Sequence, residues 1–359
     1  MSEVYPTLTA LFTDIADAIR ETTGDTDLIV ADDFPDVIRK RLQVAPPPKP
    51  YLTFSSPNSF TLKVNDTTKH WDGTLEYSTD TSTWATWDGK TTLSSATSGS
   101  DNVLYLRGTG NTVITGGNSS NYKWVLTGSD IACIGNIENL LDYATVEAGA
   151  HPTMAPYCYS NMFYGCTALT QAPALPATTL ATYCYSYMFQ GCTALTQAPA
   201  LPATTLASHC YTYMFQGCTS LTQAPALPAT TLADYCYRSM FNRCTNLTQA
   251  PSLPATMLVN SCYRFMFEFT AITAIPRIMA TTYATNSCRG MFDDIKTLNV
   301  YSSSGPGHEY GWTAPASTYC SGMFGSDDGE SEWAKLDGSN FPNNGTPTEG
   351  VTYYFATVD

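Results

Sequence analysis

Twelve cysteines and four histidines are the side chains of this 359-residue chain with the widest chemical range. Thiols can ligate zinc beside imidazoles, act as nucleophiles when a neighbour lowers their pKa, pair as disulfides, or fill a core as small apolar groups. Spacing separates these roles. Cys158, Cys184, Cys210, Cys236, Cys262 and Cys288 recur every 26 residues, and Cys166, Cys192, Cys218 and Cys244 keep the same period. A metal site needs converging ligands, yet His70, His151, His209 and His308 keep no recurring relation to the thiols. Side chains projecting in parallel from stacked copies have poor geometry for disulfides. The expectation is buried, free thiols, each stacked on its own copy about 4.8 Å away.

Other chemical patterns are incomplete. "GTGN" at 108–111 lacks the third glycine and the following helix of a dinucleotide loop. "GSDDGESE" at 325–332 is acidic but lacks the alternating spacing of a calcium loop. There is no nucleophile elbow, and the repeat brings no Cys and His together. An active site requires convergent polar groups, so no catalytic residue, metal or cofactor is expected.

The elements that position the cysteines follow from the period. Repeats of about 20 to 29 residues mark leucine-rich arrays, in which one unit cannot bury its apolar face and stacked neighbours can. Leu180, Cys184 and Met188 stand at i, i+4 and i+8, which predicts a short helical turn with these three on its inner side. Gly191 then ends the turn, as Gly165 and Gly217 do in their units. "CTALTQAP" offers a short strand through Leu195 that Pro199 stops. Stacked in register, such strands would form one parallel sheet along the array.

Outside the repeats, three segments differ in character. Residues 5–21 set Leu8, Leu11, Phe12, Ile15 and Ile19 at helical spacing, and "ADDFPDVIRKRL" predicts a second short helix with acids first and bases last. This apolar stripe needs a partner, so residues 1–44 are expected to anchor or oligomerise the chain. "APPPKP" at 45–50 reads as a polyproline spacer. Residues 51–128 alternate β-branched and aromatic residues in seven short runs, which predicts a small Ig-like β-sandwich. Trp71, Trp84 and Trp87 are read as its core or edge rather than as a sugar platform. The repeat array with its N-terminal cap then occupies 129–325, and residues 326–359 close it. The predicted fold class is mixed α/β and multidomain: short N-terminal helices, a β-sandwich, then a leucine-rich-repeat solenoid with a parallel sheet.

The formal charge of −14 argues against nucleic acid as partner, because phosphate binding needs clustered Lys and Arg. No apolar run reaches the ~18 to 20 residues of a spanning helix, so no membrane insertion is expected. Glu3, Asp14 and Asp17 interrupt the first residues, and no basic n-region precedes them, so they do not read as a secretory signal. Synthesis in a reducing cytoplasm suits the free thiols.

The unit "LPATTLAxYCYxxMFxGCTxLTxAP" resembles the BspA-type leucine-rich repeats of bacterial surface proteins, over roughly residues 151–325. Ala172 and its copies replace the usual larger aliphatic, Thr270 stands at a cysteine position, and 299–317 is an insertion. "LFTDIADAIRETTGDTDLIVADDFPDVIRKRL" is similar to an N-terminal segment of tail and fibre proteins of phages that infect gut bacteria. Together the resemblances imply a virion protein of the tail-fibre or receptor-binding type. Its N-terminal helices would contact other virion proteins, and its repeats would contact a host surface protein or glycan. The expected state is a homo-oligomer. A secreted BspA-like adhesin and a non-catalytic glycan-binding accessory module are the alternatives.

Between copies the core letters stay fixed while turn positions vary. Tyr187, Tyr213, Arg238 and Phe265 are therefore the candidate binding residues, expected to line one exposed stripe. Gln171, Gln197, Gln223 and Gln249, on the strand side, are expected to form a structural amide ladder.

Overall fold

Period-two alternation becomes strand wherever one face of a segment can be buried. In the computed structural model, which describes residues 51–358 apart from Asn118 and 326–333, β1 (Leu52–Ser56) turns Leu52 and Phe54 inward and β2 (Thr61–Val64) does the same with Leu62 and Val64. The residues proposed as the N-terminal anchor lie outside the described residues, as does the proline spacer.

Further strands follow as β3 (Thr74–Ser78), β4 (Ala85–Thr86), β5 (Leu93–Ser94), β6 (Ala96–Ser98), β7 (Asp101–Thr109), β8 (Trp124–Thr127), β9 (Ile131–Ile134) and β10 (Leu169–Gln171). One sheet has the order β10-β9-β1-β7-β3-β4, with β6 also on β7, and a second has the order β5-β2-β8. Every pair is antiparallel except β9 with β10. Trp71 and Trp87 are buried and pack at 5.1 Å, while Trp84 lies at the edge, half-buried, with Arg107 4.1 Å over its ring. "TVIT" at 112–115 is not a strand, because the Ile114 and Thr115 N–H groups both donate to the Cys158 carbonyl of the first repeat.

The helix α1 (Asn139–Glu147), kinked at Asp142, packs on β7. Asn111 ties the two together, its amide donating to the Leu140 carbonyl at 2.9 Å. Gly108 permits the approach, since a Cβ there would stand 1.7 Å from the Leu140 oxygen.

The repeats are built differently from the expectation. Between Ala181 and Cys192 the chain is a ribbon of overlapping β-turns. Cys184, Ser186, Met188, Gln190 and Cys192 donate N–H groups three residues back, to Ala181, Tyr183, Tyr185, Tyr187 and Phe189. The alternate N–H groups, from Tyr183, Tyr185, Tyr187, Phe189 and Gly191, donate to Ser208, Cys210, Thr212, Met214 and Gln216 of the next coil at 2.8–3.1 Å. Tyr183, Tyr187 and Gly191 occupy the third place of alternate turns, with φ of 58°, 59° and 72°, as type II turns require. The same pattern recurs in the following coils.

Because the ribbon repeats every four residues, Leu180, Cys184 and Met188 do face inward and are buried. Phe163, Phe189, Phe215, Phe241, Phe267, Phe292 and Phe324 form one buried column with successive rings 5.6–5.9 Å apart. Tyr159, Tyr185, Tyr211, Tyr237 and Tyr263 form a second. All twelve cysteines are free and buried. Those at the second position also bond between coils: the Cys192, Cys218 and Cys244 thiols donate to the carbonyls of Phe163, Phe189 and Phe215 at 3.0–3.1 Å.

The mixed α/β, leucine-rich-repeat solenoid expected from sequence is thus corrected. The described residues are strands and turns, with only two α-helices, α1 and α2 (Ser317–Cys320). No continuous parallel sheet runs along the coils: no strand forms between β10 and Ile275, where the copies make isolated bridges such as Gln223 with Gln249 and Thr205 with Thr231. The cause is proline. Pro173, Pro176, Pro199, Pro202, Pro225 and Pro228 lack the N–H that a ladder needs, so the inter-coil hydrogen bonds move to the turn side.

Both ends of the stack are covered. Phe163 lies 6.2 Å from Phe54 and 6.3 Å from Trp124, one on each sheet of the β region. At the far end come β11 (Ile275–Pro276), β12 (Asn299–Val300), β13 (Tyr310–Thr313), β14 (Lys335–Leu336), β15 (Ser339–Asn340), β16 (Thr352–Phe355) and β17 (Thr357–Val358). They pair in three small sheets, β11 with β17, β13 with β16, and β12-β14-β15. Phe341 and Phe355 cap the last ring of the column, Phe324, at 4.9 and 5.6 Å.

Candidate ligand-binding face

The turn ribbon holds successive copies of each residue at one height above the core, so variable side chains become columns. Tyr157, Tyr183, His209 and Tyr235 form one, with ring centroids 4.8, 4.3 and 4.4 Å apart. Four residues further along the ribbon, Tyr187 stacks on Tyr213 at 4.8 Å, with Ser239 and Phe265 at the equivalent places. Both columns occupy positive φ, the left-handed region that costs a non-glycine residue about 1–2 kcal/mol. Aromatic side chains stand where glycine or asparagine would be locally easier.

Between the two columns runs a third: Ser160, Ser186, Thr212, Arg238, Arg264 and Arg289. In its first half small hydroxyls close on backbone, Ser160 donating to the Ser186 carbonyl, Ser186 to that of Thr212, and Thr212 to that of Tyr235. In the second half, guanidiniums lie beside the rings. Arg238 is 5.4 Å from Tyr213 and 5.9 Å from Tyr235, Arg264 is 5.0 Å from Phe265, and Arg289 is 5.9 Å from Phe265. Burial, with Arg238 and Arg289 on either side, lowers the Arg264 pKa from its ordinary value. Burial and Arg238 likewise lower that of His209, against Asp234, which raises it.

Tyr187, Tyr213, Arg238 and Phe265, expected from sequence to line an exposed stripe, are all half-buried: Tyr187, Tyr213 and Arg238 meet in sequence along the stack, and Phe265 lies against Arg264 and Arg289 instead. Tyr183, His209, Tyr235, Arg264 and Arg289, which are not among the residues expected from sequence, complete this face. Reading the copies as aligned columns one and four positions before Tyr187 would have found them. Of the glutamines expected to form a ladder, Gln223 and Gln249 meet at 3.5 Å. A more continuous amide chain runs instead from Gln190 through Gln216 and Asn242 to Glu268.

That chain ends at acid. Glu268, Asp293 and Asp294 bring carboxylate oxygens within 4.8 Å of one another, the grouping among the described residues that could hold a cation. Elsewhere, His151 Nδ1 lies 2.8 Å from the buried carboxylate of Glu138, beside a shallow cleft lined by Met154 and Leu180. No helix among the described residues is long and apolar enough to cross a membrane. Comparison with protein-family models, curated proteins and solved structures finds no match.

Proposed function

We propose that this chain is a phage virion protein that attaches the particle to a bacterial surface, with the aromatic and arginine columns of the turn side as its contact face. The observation that carries the reading is the placement of Tyr183, Tyr187, Tyr213 and Phe265 at positive φ, half-buried, in two neighbouring columns of the stack. Strained backbone under large aromatic residues supports a role for those side chains beyond folding. Tyr and Arg combine apolar area with donors at modest entropy cost, which suits them as binding anchors. The likeness of residues 11–42 to phage tail and fibre proteins supports a virion setting, and the repeat unit's likeness to bacterial surface repeats supports adhesion. In this reading the chain acts by binding rather than by catalysis.

The test is attachment to a panel of gut bacteria by fluorescently labelled chain. The triple variant Tyr187→Ala, Tyr213→Ala, Arg238→Ala should lose attachment, and Gln223→Ala with Gln249→Ala should keep it. Thermal unfolding of each variant separates lost contact from lost fold. A triple variant that attaches like the parent refutes the choice of face, and neighbouring genes unrelated to tail or capsid refute the virion setting.

A further inference from the structure

A column that switches from serine and threonine to arginine partway along the stack has changed its chemistry. The hydroxyls of Ser160, Ser186 and Thr212 are satisfied by backbone carbonyls. Arg238 and Arg264 form no ion pair with a carboxylate among the described residues. Their Nε atoms are buried without a hydrogen-bond partner. In a chain of net charge −14, two such guanidiniums and Arg289 occupy the same position of three successive coils. Like charges so placed repel, and the two arginines on either side of Arg264 disfavour its charge together with burial. A bound anion would offset that repulsion. Guanidinium also matches carboxylate and phosphate oxygens with two parallel donors, which a lysine cannot do.

The flanking groups narrow the ligand further. Tyr213, Tyr235 and Phe265 lie 5.0–5.9 Å from these guanidiniums, and each is half-buried, so part of each ring remains exposed beside them. Aromatic faces suit the apolar face of a sugar ring, and the Tyr hydroxyls suit its hydroxyl groups. We propose that Arg238 and Arg264 form a subsite for an acidic saccharide, taking its carboxylate or phosphate on the guanidiniums and its ring against Tyr213, Tyr235 and Phe265. This deepens, and rests on, the reading of the turn side as the attachment face.

Titration calorimetry of the full chain provides the test. The probes are a tetrasaccharide containing glucuronate, its carboxyl-reduced neutral form, mannose 6-phosphate and mannose. At least one anionic probe should bind ten-fold or more tightly than its neutral counterpart, and which of the two does so distinguishes carboxylate from phosphate recognition. Arg238→Gln with Arg264→Gln should weaken that binding at least ten-fold with an unchanged unfolding midpoint. Arg243→Gln, which removes an exposed guanidinium beside Phe269 and outside the column, should leave it unchanged. Equal affinity for charged and neutral probes, no binding of either anionic probe, or full binding by the folded double variant overturns the inference. Should the double variant unfold, Arg264→Lys keeps the charge without the fork and is expected to lose several-fold affinity; parental affinity in that variant overturns the inference. Attachment to bacteria, measured in parallel, keeps the two readings apart. A double variant that attaches like the parent overturns the subsite alone, and a chain that binds the anionic probe but attaches to no bacterium overturns the attachment reading alone.

Discussion

Phe215 sits in the middle of the ring column, fully buried, 5.6 Å from Phe189 and 5.8 Å from Phe241, with interplanar angles of 4° and 5°. Truncating such a side chain to alanine removes its transfer free energy and leaves a cavity, about 3–5 kcal/mol in well-packed cores. Two offset-stacked neighbours, each worth about 0.5–1.5 kcal/mol beyond area, place Phe215→Ala at the upper end, about 5 kcal/mol. Phe215→Leu keeps much of the apolar area and should cost about 1–2 kcal/mol. A double-mutant cycle of Phe189→Leu with Phe215→Leu isolates the stack and should show a coupling of about 0.5–1.5 kcal/mol. Because each coil contacts mainly its neighbours, the loss should spread locally. Hydrogen exchange should rise first at Tyr185, Tyr187, Tyr211 and Tyr213, whose amides bond to the adjacent coil at 2.9–3.0 Å. Urea unfolding followed by circular dichroism measures the total, and exchange mass spectrometry locates it. A cost for Phe215→Ala below about 1.5 kcal/mol with unchanged protection in both neighbouring coils would refute the column as what holds the stack together.

Burial raises the thiol pKa values, to about 11 at Cys166 and about 12 at Cys244 and Cys262, so the native protein should resist iodoacetamide at pH 8, while chain denatured without reductant should gain all twelve labels by mass spectrometry. Since these groups ionise more readily when unfolded, their contribution is present below the ordinary thiol value of 9.0 and stability should fall as pH rises above it. His209 has the opposite sign: its folded pKa lies below 6.5, so acidification through that value should lower the unfolding midpoint, and His209→Gln should flatten the dependence. Gly108→Ala should destabilise by about 2–3 kcal/mol or more, read by urea unfolding, because its Cβ would drive the Leu140 carbonyl off β7. Deleting residues 1–50 should leave 51–359 folded by circular dichroism, since the latter form a compact unit of their own.

The residues that fill the core were legible in the sequence by itself. A 26-residue period with fixed Cys, Tyr, Met, Phe and Leu positions can only be satisfied if each copy buries the same letters against the next, and Cys184, Tyr185, Met188, Phe189, Cys192 and Leu195 are all buried. Backbone conformation was not legible. Apolar residues at i, i+4 and i+8 suit an α-helix of 3.6 residues per turn, and over eight residues they suit a turn ribbon of period four equally well. Gly191 did not discriminate either, because a helix end and a type II turn both use its positive φ. What decided between them was the destination of alternate N–H groups, which go to the neighbouring coil, a partner 25 residues away in the regular coils that no local pattern specifies. The face shows the same division. That Tyr187 and Tyr213 vary outside the core could be read from aligned copies, but only the tertiary structure put Arg238 against both Tyr213 and Tyr235, residues of adjacent columns. Local sequence fixes which side chains must be hidden, because burial depends on residue type; stacking fixes which visible ones meet, because that depends on where the next coil lies.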